Sequence, residues 1–87
     1  MPQKTNNLTL IQHSKSRIMD IEWEDGFKIN VNSDDHAVTI SANKEGLLSL
    51  AKQLTTLANE KAGAHIHYDE HNSLEDNSTP LIIEKID

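Results

Sequence analysis

The chain has 87 residues, a formal net charge of −6 and no cysteine. This length predicts one small domain, and the absence of cysteine excludes a disulfide framework and thiolate metal sites. Fourteen acidic residues face eight basic ones, the opposite of the bias in proteins that bind nucleic acid or anionic membranes directly. An acidic domain instead suits a basic protein partner, or serves solubility alone.

The N-terminal part of the chain gives weak structural signals. It has no apolar run that resembles a signal peptide or approaches the roughly 20 residues of a membrane span, so we expect a cytoplasmic protein. Leu8, Leu10 and Ile11 predict only a short strand. We expect a single domain over residues 1–87, in which residues 1–17 form a weakly ordered arm or an edge strand.

Alternating apolar and polar residues then predict three strands in succession. Residues 19–24 alternate Met, Ile and Trp with acids, which is typical of a half-buried strand, and they place Trp23 in the core. Asp25-Gly26 is a hairpin signal, residues 27–32 alternate again, and residues 32–35 predict a turn. Val38 and Ile40 continue as the third strand.

The clearest element is a helix that begins after Asn43. Asn43 is a favourable N-cap, and Glu45 lies in the first turn, where the helix dipole favours negative charge. Gly63 would end the connection after the helix. Apolar residues recur at the spacing of one helical face, which predicts packing on the core: Leu47, Leu50, Ala51, Leu54, Leu57 and Ala58.

Two more strands follow the helix. Residues 64–69 alternate apolar residues with histidine and aspartate, so one face would bury Ala64, Ile66 and Tyr68. Pro80 opens a last strand over residues 81–86.

This order predicts an α+β, two-layer sandwich, with one helix packed on one face of an antiparallel or mixed four- to six-stranded sheet. The opposite face would be polar and open to solvent. By alternation it would carry Asp20, Glu22, Glu24, Lys28, Asn30, Asn32, His65, His67 and Asp69.

That polar face allows a metal site or a partner surface. Residues two apart in a strand lie about 6.5–7 Å apart on one face, so His65 and His67 could ligate one ion, with Asp69 and His71 as further ligands. They could equally be ordinary polar strand residues. The acids of residues 20–25 could likewise be only the charged edge that prevents sheet-to-sheet aggregation. Catalysis is disfavoured, because no nucleophile elbow or phosphate loop accompanies the histidines.

Several segments between Val38 and Ile86 resemble the Immunity protein 32 family of bacterial polymorphic-toxin and contact-dependent inhibition systems. The most specific parts are Glu45-Gly46-Leu47 and His65-Ile66-His67. The resemblance covers a little over half of the chain through these blocks: Ile40–Ala51, Leu54–Ala58, His65–Asp69 and Ser78–Glu84.

The resemblance implies a small, non-enzymatic cytosolic protein without a cofactor that binds and neutralises a cognate toxin domain. The acidic charge favours a basic toxin, such as a nuclease, and we expect a monomer or weak homodimer that binds neither nucleic acid nor membrane directly. The alternative is a small metal-binding protein that uses His65, His67 and Asp69. The residues expected to bind the toxin are Asp20, Glu22, Glu24, His65, His67, Asp69 and Glu70.

Overall fold

A computed structural model describes residues 21–87 of the chain. The predicted N-terminal strand, the arm at residues 1–17 and Asp20 lie outside the described residues. The described part contains four strands and one helix, in this order: β1 (Ile29–Ser33), β2 (Val38–Ala42), α1 (Lys44–Ala58), β3 (His65–Tyr68) and β4 (Leu81–Glu84).

The four strands form two antiparallel pairs. β1 pairs with β2, with Ile29 opposite Ala42, and β3 pairs with β4, with Tyr68 opposite Leu81. The turn between β1 and β2 is closed by Asp34, whose Oδ1 accepts hydrogen bonds from the His36 N–H at 2.8 Å and the Ala37 N–H at 2.9 Å. The predicted turn and the strands on either side of it are therefore confirmed.

For residues 21–87, the α+β class with one helix is confirmed, but their strands form two sheets of two strands rather than the single larger sheet we expected. The outer edge of β1 is taken by an irregular segment. The Glu75 and Thr79 N–H groups donate to the Ile29 and Val31 carbonyls at 2.9 and 2.7 Å, and the Val31 N–H donates to Ser78 Oγ at 3.1 Å. Because these groups are satisfied by a loop, the β1 ladder ends there.

The predicted strand at residues 19–24 is also corrected, because residues 21–24 have no strand structure. They run along the helix instead. The Glu24 N–H donates to Ser49 Oγ at 2.8 Å, and Gln53 Nε2 donates to the Glu22 carbonyl at 2.7 Å. Side chains of the helix thus bind the Glu22 carbonyl and the Glu24 N–H, which a neighbouring strand would have bound in the predicted sheet.

The helix begins where the sequence predicts. Asn43 Oδ1 accepts the Gly46 N–H at 2.8 Å and caps the helix. The same oxygen accepts the Lys28 N–H at 2.9 Å, and Asn43 Nδ2 donates to the Gly26 carbonyl at 2.9 Å. One side chain therefore caps α1 and fixes its start to the residues that lead into β1.

The buried face of the helix differs from the predicted one. Leu50 and Leu57 of the predicted stripe are buried as expected, but the rest of the buried face consists of Gly46, Ser49 and Gln53. The centre of this face is therefore turned by about 90° from the centre of the apolar stripe. Leu47 and Leu54 remain 55% and 42% exposed. Polar contacts to residues 22–24 and the close approach of Gly46 to β1 set this rotation, and both depend on tertiary structure.

The core lies between the helix and the two sheets. Trp23 packs against it as predicted, stacked on Phe27 with ring centroids 4.3 Å apart and edge-on to Tyr68 at 6.3 Å. The buried apolar residues are Ile29, Val31, Leu50, Leu57, Ile66, Tyr68 and Leu74. Within residues 21–87, no helix has the length and apolar character that crossing a membrane requires.

Candidate functional site

The structure distributes the predicted site residues over three separate elements instead of one sheet face. Glu22 and Glu24, here called the acid pair, lie beside the helix. His65 and His67, the histidine pair, lie on β3. Asp69 and Glu70, the acidic turn, begin the loop between β3 and β4.

The acid pair is held by a lysine on the helix. Lys52 Nζ lies 2.6 Å from Glu24 Oε2 and 3.5 Å from Glu22 Oε1. The hydrogen bond with Glu24, together with the charge of Glu24, raises the pKa of Lys52. The Glu22 side chain remains 65% exposed and that of Glu24 36% exposed, so the ion pairs add little stability. The acid pair thus offers accessible negative charge at an ordered position.

The histidine pair lies on the outer face of the second sheet, as the alternation predicts. Its neighbours in the strand, Ile66 and Tyr68, are buried, whereas both histidines are exposed. The two imidazole centroids are 4.9 Å apart, and His65 Nδ1 lies 2.9 Å from the Gly63 carbonyl oxygen. Across the ladder, Glu84 is opposite His65 and Ile82 is opposite His67. This small surface therefore combines two imidazoles, one carboxylate and one exposed apolar side chain.

The acidic turn uses its carboxylates to order its own loop. Asp69 Oδ1 accepts the His71 N–H at 2.9 Å and the Asn72 N–H at 3.1 Å. Glu70 Oε2 accepts the Asn77 N–H at 2.6 Å, and Asn77 has a positive φ of 70°, a conformation in which asparagine is enriched. These bonds close the loop that carries Leu74 into the core. The carboxylates of the acidic turn are therefore structural groups on an exposed loop.

In the structure, the side chains of His65, His67 and Asp69 do not form the metal site that their spacing in the sequence allows. Among residues 21–87, no three histidine, aspartate or glutamate side chains converge on a point where they could hold a metal ion. The histidine pair faces outward from β3, whereas the Asp69 carboxylate binds backbone amides of its own turn. The third ligand expected from the sequence is thus engaged elsewhere.

A buried polar network that the sequence did not reveal positions the acid pair. Gln53 is fully buried, and its Oε1 accepts the Tyr68 hydroxyl at 2.8 Å while its Nε2 binds the Glu22 carbonyl. Burial raises the pKa of Tyr68, so the hydroxyl stays protonated and remains a donor. Gln53 lies on the face of the helix that sequence periodicity marks as polar, so no local signal identified its role.

Residues from β2 to the C-terminal part of the chain match a known protein family. The profile described as Immunity protein 32 matches residues 37–86, which is more than half of the 87 residues. The chain belongs to the Immunity protein 32 family. No curated protein and no solved structure matches the chain.

The Immunity protein 32 match covers β2, α1, β3 and β4, and it includes the histidine pair and the acidic turn. The acid pair lies before the matched region. The resemblance found in the sequence is thereby confirmed, and the matched region contains two of the three clusters.

Proposed function

We propose that this protein is an immunity protein that binds a cognate bacterial toxin domain in the cytoplasm and neutralises it without catalysis. The match to the Immunity protein 32 family over residues 37–86 carries this proposal. Such a protein would act within a polymorphic-toxin or contact-dependent inhibition system and would need no cofactor. It would be a monomer or weak homodimer in its free form.

The chemistry of the surface favours a basic toxin. The net charge of −6 would attract a positively charged domain and accelerate its association. Nuclease domains are one such class, because they must bind phosphates with lysine and arginine. Inhibition would follow when the acidic protein covers the basic cleft.

Each cluster would make a different kind of contact. The acid pair supplies accessible charge beside the helix, the histidine pair supplies hydrogen-bonding imidazoles, and the acidic turn presents an ordered loop. The proposed toxin-binding residues are Asp20, Glu22, Glu24, His65, His67, Asp69 and Glu70.

The first experiment tests whether the wild-type protein captures the catalytically inactivated C-terminal domain of the toxin encoded immediately upstream. Capture in a one-to-one complex that resists chelator supports the proposal. Failure of the wild-type protein to bind this domain at low and at physiological salt contradicts it. Binding that disappears with chelator would instead favour a metal-dependent function for the histidine pair.

A second experiment tests the role of charge at the acid pair. The variant Glu22→Lys/Glu24→Lys should associate at least about tenfold more slowly at low salt, and the difference should shrink as salt screens the charges. The matched control Asp76→Lys/Asp87→Lys makes the same change in net charge outside the three clusters. Equal slowing by both variants would assign the effect to overall charge and remove the acid pair from the interface.

A further inference from the structure

The outer edge of β2 has backbone groups that point away from the sheet. In an antiparallel pair, a residue directs both its N–H and its C=O either toward its partner strand or away from it. Ile29 and Val31 direct theirs away from β2, toward residues 75–79. Their partners across the ladder are Ala42 and Ile40, so Ile40, and likewise Val38, directs its N–H and C=O to the outer edge.

This edge has none of the features that normally prevent strand addition. The strand reads Val-Thr-Ile-Ser-Ala, without a charge, a proline or a glycine, whereas natural edges are usually protected by charges, prolines or bulges. Val38 is 61% exposed and Ile40 is 41% exposed. The outer edge of β1, by contrast, is occupied by residues 75–79. Among residues 21–87, β2 is therefore an uncharged and accessible site for pairing with another strand.

The charge around this edge discriminates between possible partners. Asp34 and Asp35 lie in the turn that leads directly into β2, and the chain as a whole carries a net charge of −6. A second copy would bring an equal negative charge to the edge and repel it. A basic segment would be attracted, and its lysine or arginine side chains would meet the aspartates at the start of the strand.

We propose that an extended, basic segment of the toxin domain adds to the outer edge of β2, pairing with the backbone of Val38 and Ile40. This inference rests on the proposed immunity function and names the docking surface. Main-chain hydrogen bonds supply affinity in strand addition, and alternate side chains supply specificity. Side chains of the added strand that lie on the same sheet face as Val38 and Ile40 would cover the exposed surfaces of these two residues.

Amide hydrogen exchange of the free and the toxin-bound protein tests the proposal with an internal control. The Thr39 and Ser41 amides face β1, so they should be protected in both states. The Val38 and Ile40 amides should exchange rapidly in the free protein and slow at least about tenfold when the inactivated C-terminal toxin domain binds.

Two variants at one position separate backbone pairing from side-chain packing. Val38→Pro removes an outward N–H at the first residue of a strand, where proline is tolerated, and should weaken toxin binding about tenfold. Val38→Thr keeps the N–H and a β-branched side chain at a position that is 61% exposed in the free protein, and should bind within about threefold of wild type. Protection of Thr39 and Ser41 in both variants shows that the fold is retained. Equal affinity of Val38→Pro and wild type would overturn the proposal.

The outcomes distinguish this inference from the function on which it rests. If the toxin domain binds while the Val38 and Ile40 amides stay unprotected, strand addition is wrong and the immunity function stands. If these amides are already protected in the free protein, the edge of β2 is occupied by the same chain or by a second copy, and the proposal is overturned. Protection that is lost on dilution would identify the second copy. If the wild-type protein does not bind the toxin domain, both proposals fail.

Discussion

Replacement of Gly46 by alanine tests how closely the helix approaches the first sheet. A Cβ at this position would lie 2.5 Å from the Lys28 carbonyl oxygen, 2.9 Å from Ile29 Cγ1 and 3.1 Å from Ala42 Cβ. The shortest of these contacts is to a backbone atom, which cannot rotate away. The first turn of α1 would therefore have to move by roughly 0.9 Å to lengthen this 2.5 Å approach to 3.4 Å, where ordinary van der Waals contact begins.

The net effect of Gly46→Ala on the free energy of unfolding is the sum of one stabilising and two destabilising terms. Alanine is favoured over glycine within a helix by about 1 kcal/mol, whereas overpacking a well-filled site costs about 1–3 kcal/mol. Movement of the helix also strains the Asn43 cap, whose oxygen binds both Gly46 and Lys28, and loss of a cap costs about 1 kcal/mol. We expect Gly46→Ala to lower the free energy of unfolding by about 1–3 kcal/mol, and at 4–8 °C per kcal/mol the Tm should fall by roughly 10 °C.

Thermal and urea unfolding followed by circular dichroism measure this change. The control Thr55→Ala adds a better helix former at an exposed position of the same helix, and its Tm should stay equal or rise slightly. Adding Ala42→Gly to Gly46→Ala should restore little stability, because the contact with the Lys28 carbonyl remains. A Tm for Gly46→Ala at or above that of wild type would refute this packing, since helix preference alone would then explain the result.

Three further measurements test the network, the turn and the histidines. Tyr68→Phe leaves the buried Gln53 Oε1 without its donor and should lower the free energy of unfolding by about 1–3 kcal/mol in urea; an unchanged midpoint would contradict the network. Hydrogen bonds from the His36 N–H, the larger cause, and from the Ala37 N–H lower the pKa of Asp34 below its ordinary 3.8. The ionised carboxylate therefore stabilises the fold above pH 3.8, and this stabilisation is lost as the pH falls through the lowered pKa of the folded state. The stability difference between wild type and Asp34→Asn should therefore be constant near neutral pH and shrink below 3.8, and a constant difference throughout would argue against the effect. The Tm should not change with chelator or added zinc, whereas a rise with zinc that is lost on replacing the histidine pair by alanine would restore the metal-binding alternative.

Local signals in the sequence were sufficient for most of the elements. Asn43 caps the helix as predicted, and the turn at Asp34 and the strand that carries the histidine pair appear where alternation and turn chemistry place them. These features depend on neighbouring residues: a cap accepts an amide three residues away, and side chains in a strand alternate. The resemblance to the Immunity protein 32 family was likewise visible in short blocks between Val38 and Ile86.

The candidate site was less predictable because its parts depend on distant contacts. The alternation at residues 19–24 resembles that of a strand, yet the Glu22 and Glu24 backbones bind Gln53 and Ser49 of the helix. The Asp69 carboxylate could serve a metal, a partner or its own turn, and only the structure shows that it binds the amides that follow it. The expected single polar face therefore becomes three clusters.

The sequence by itself determined the acidic charge, the helix that follows Asn43 with its cap, the alternation of buried and exposed residues in β1 and β3, and the family. Within residues 21–87, tertiary structure alone decided which face of the helix is buried, how the strands divide into two sheets, and which sheet edge those residues leave open. The apolar stripe of the helix was misleading because Gly46 allows the closest approach to the Lys28 carbonyl, and because Ser49 and Gln53 bind residues 22–24. Such choices depend on contacts between residues 18 to 31 positions apart in the chain, which neither periodicity nor propensity encodes.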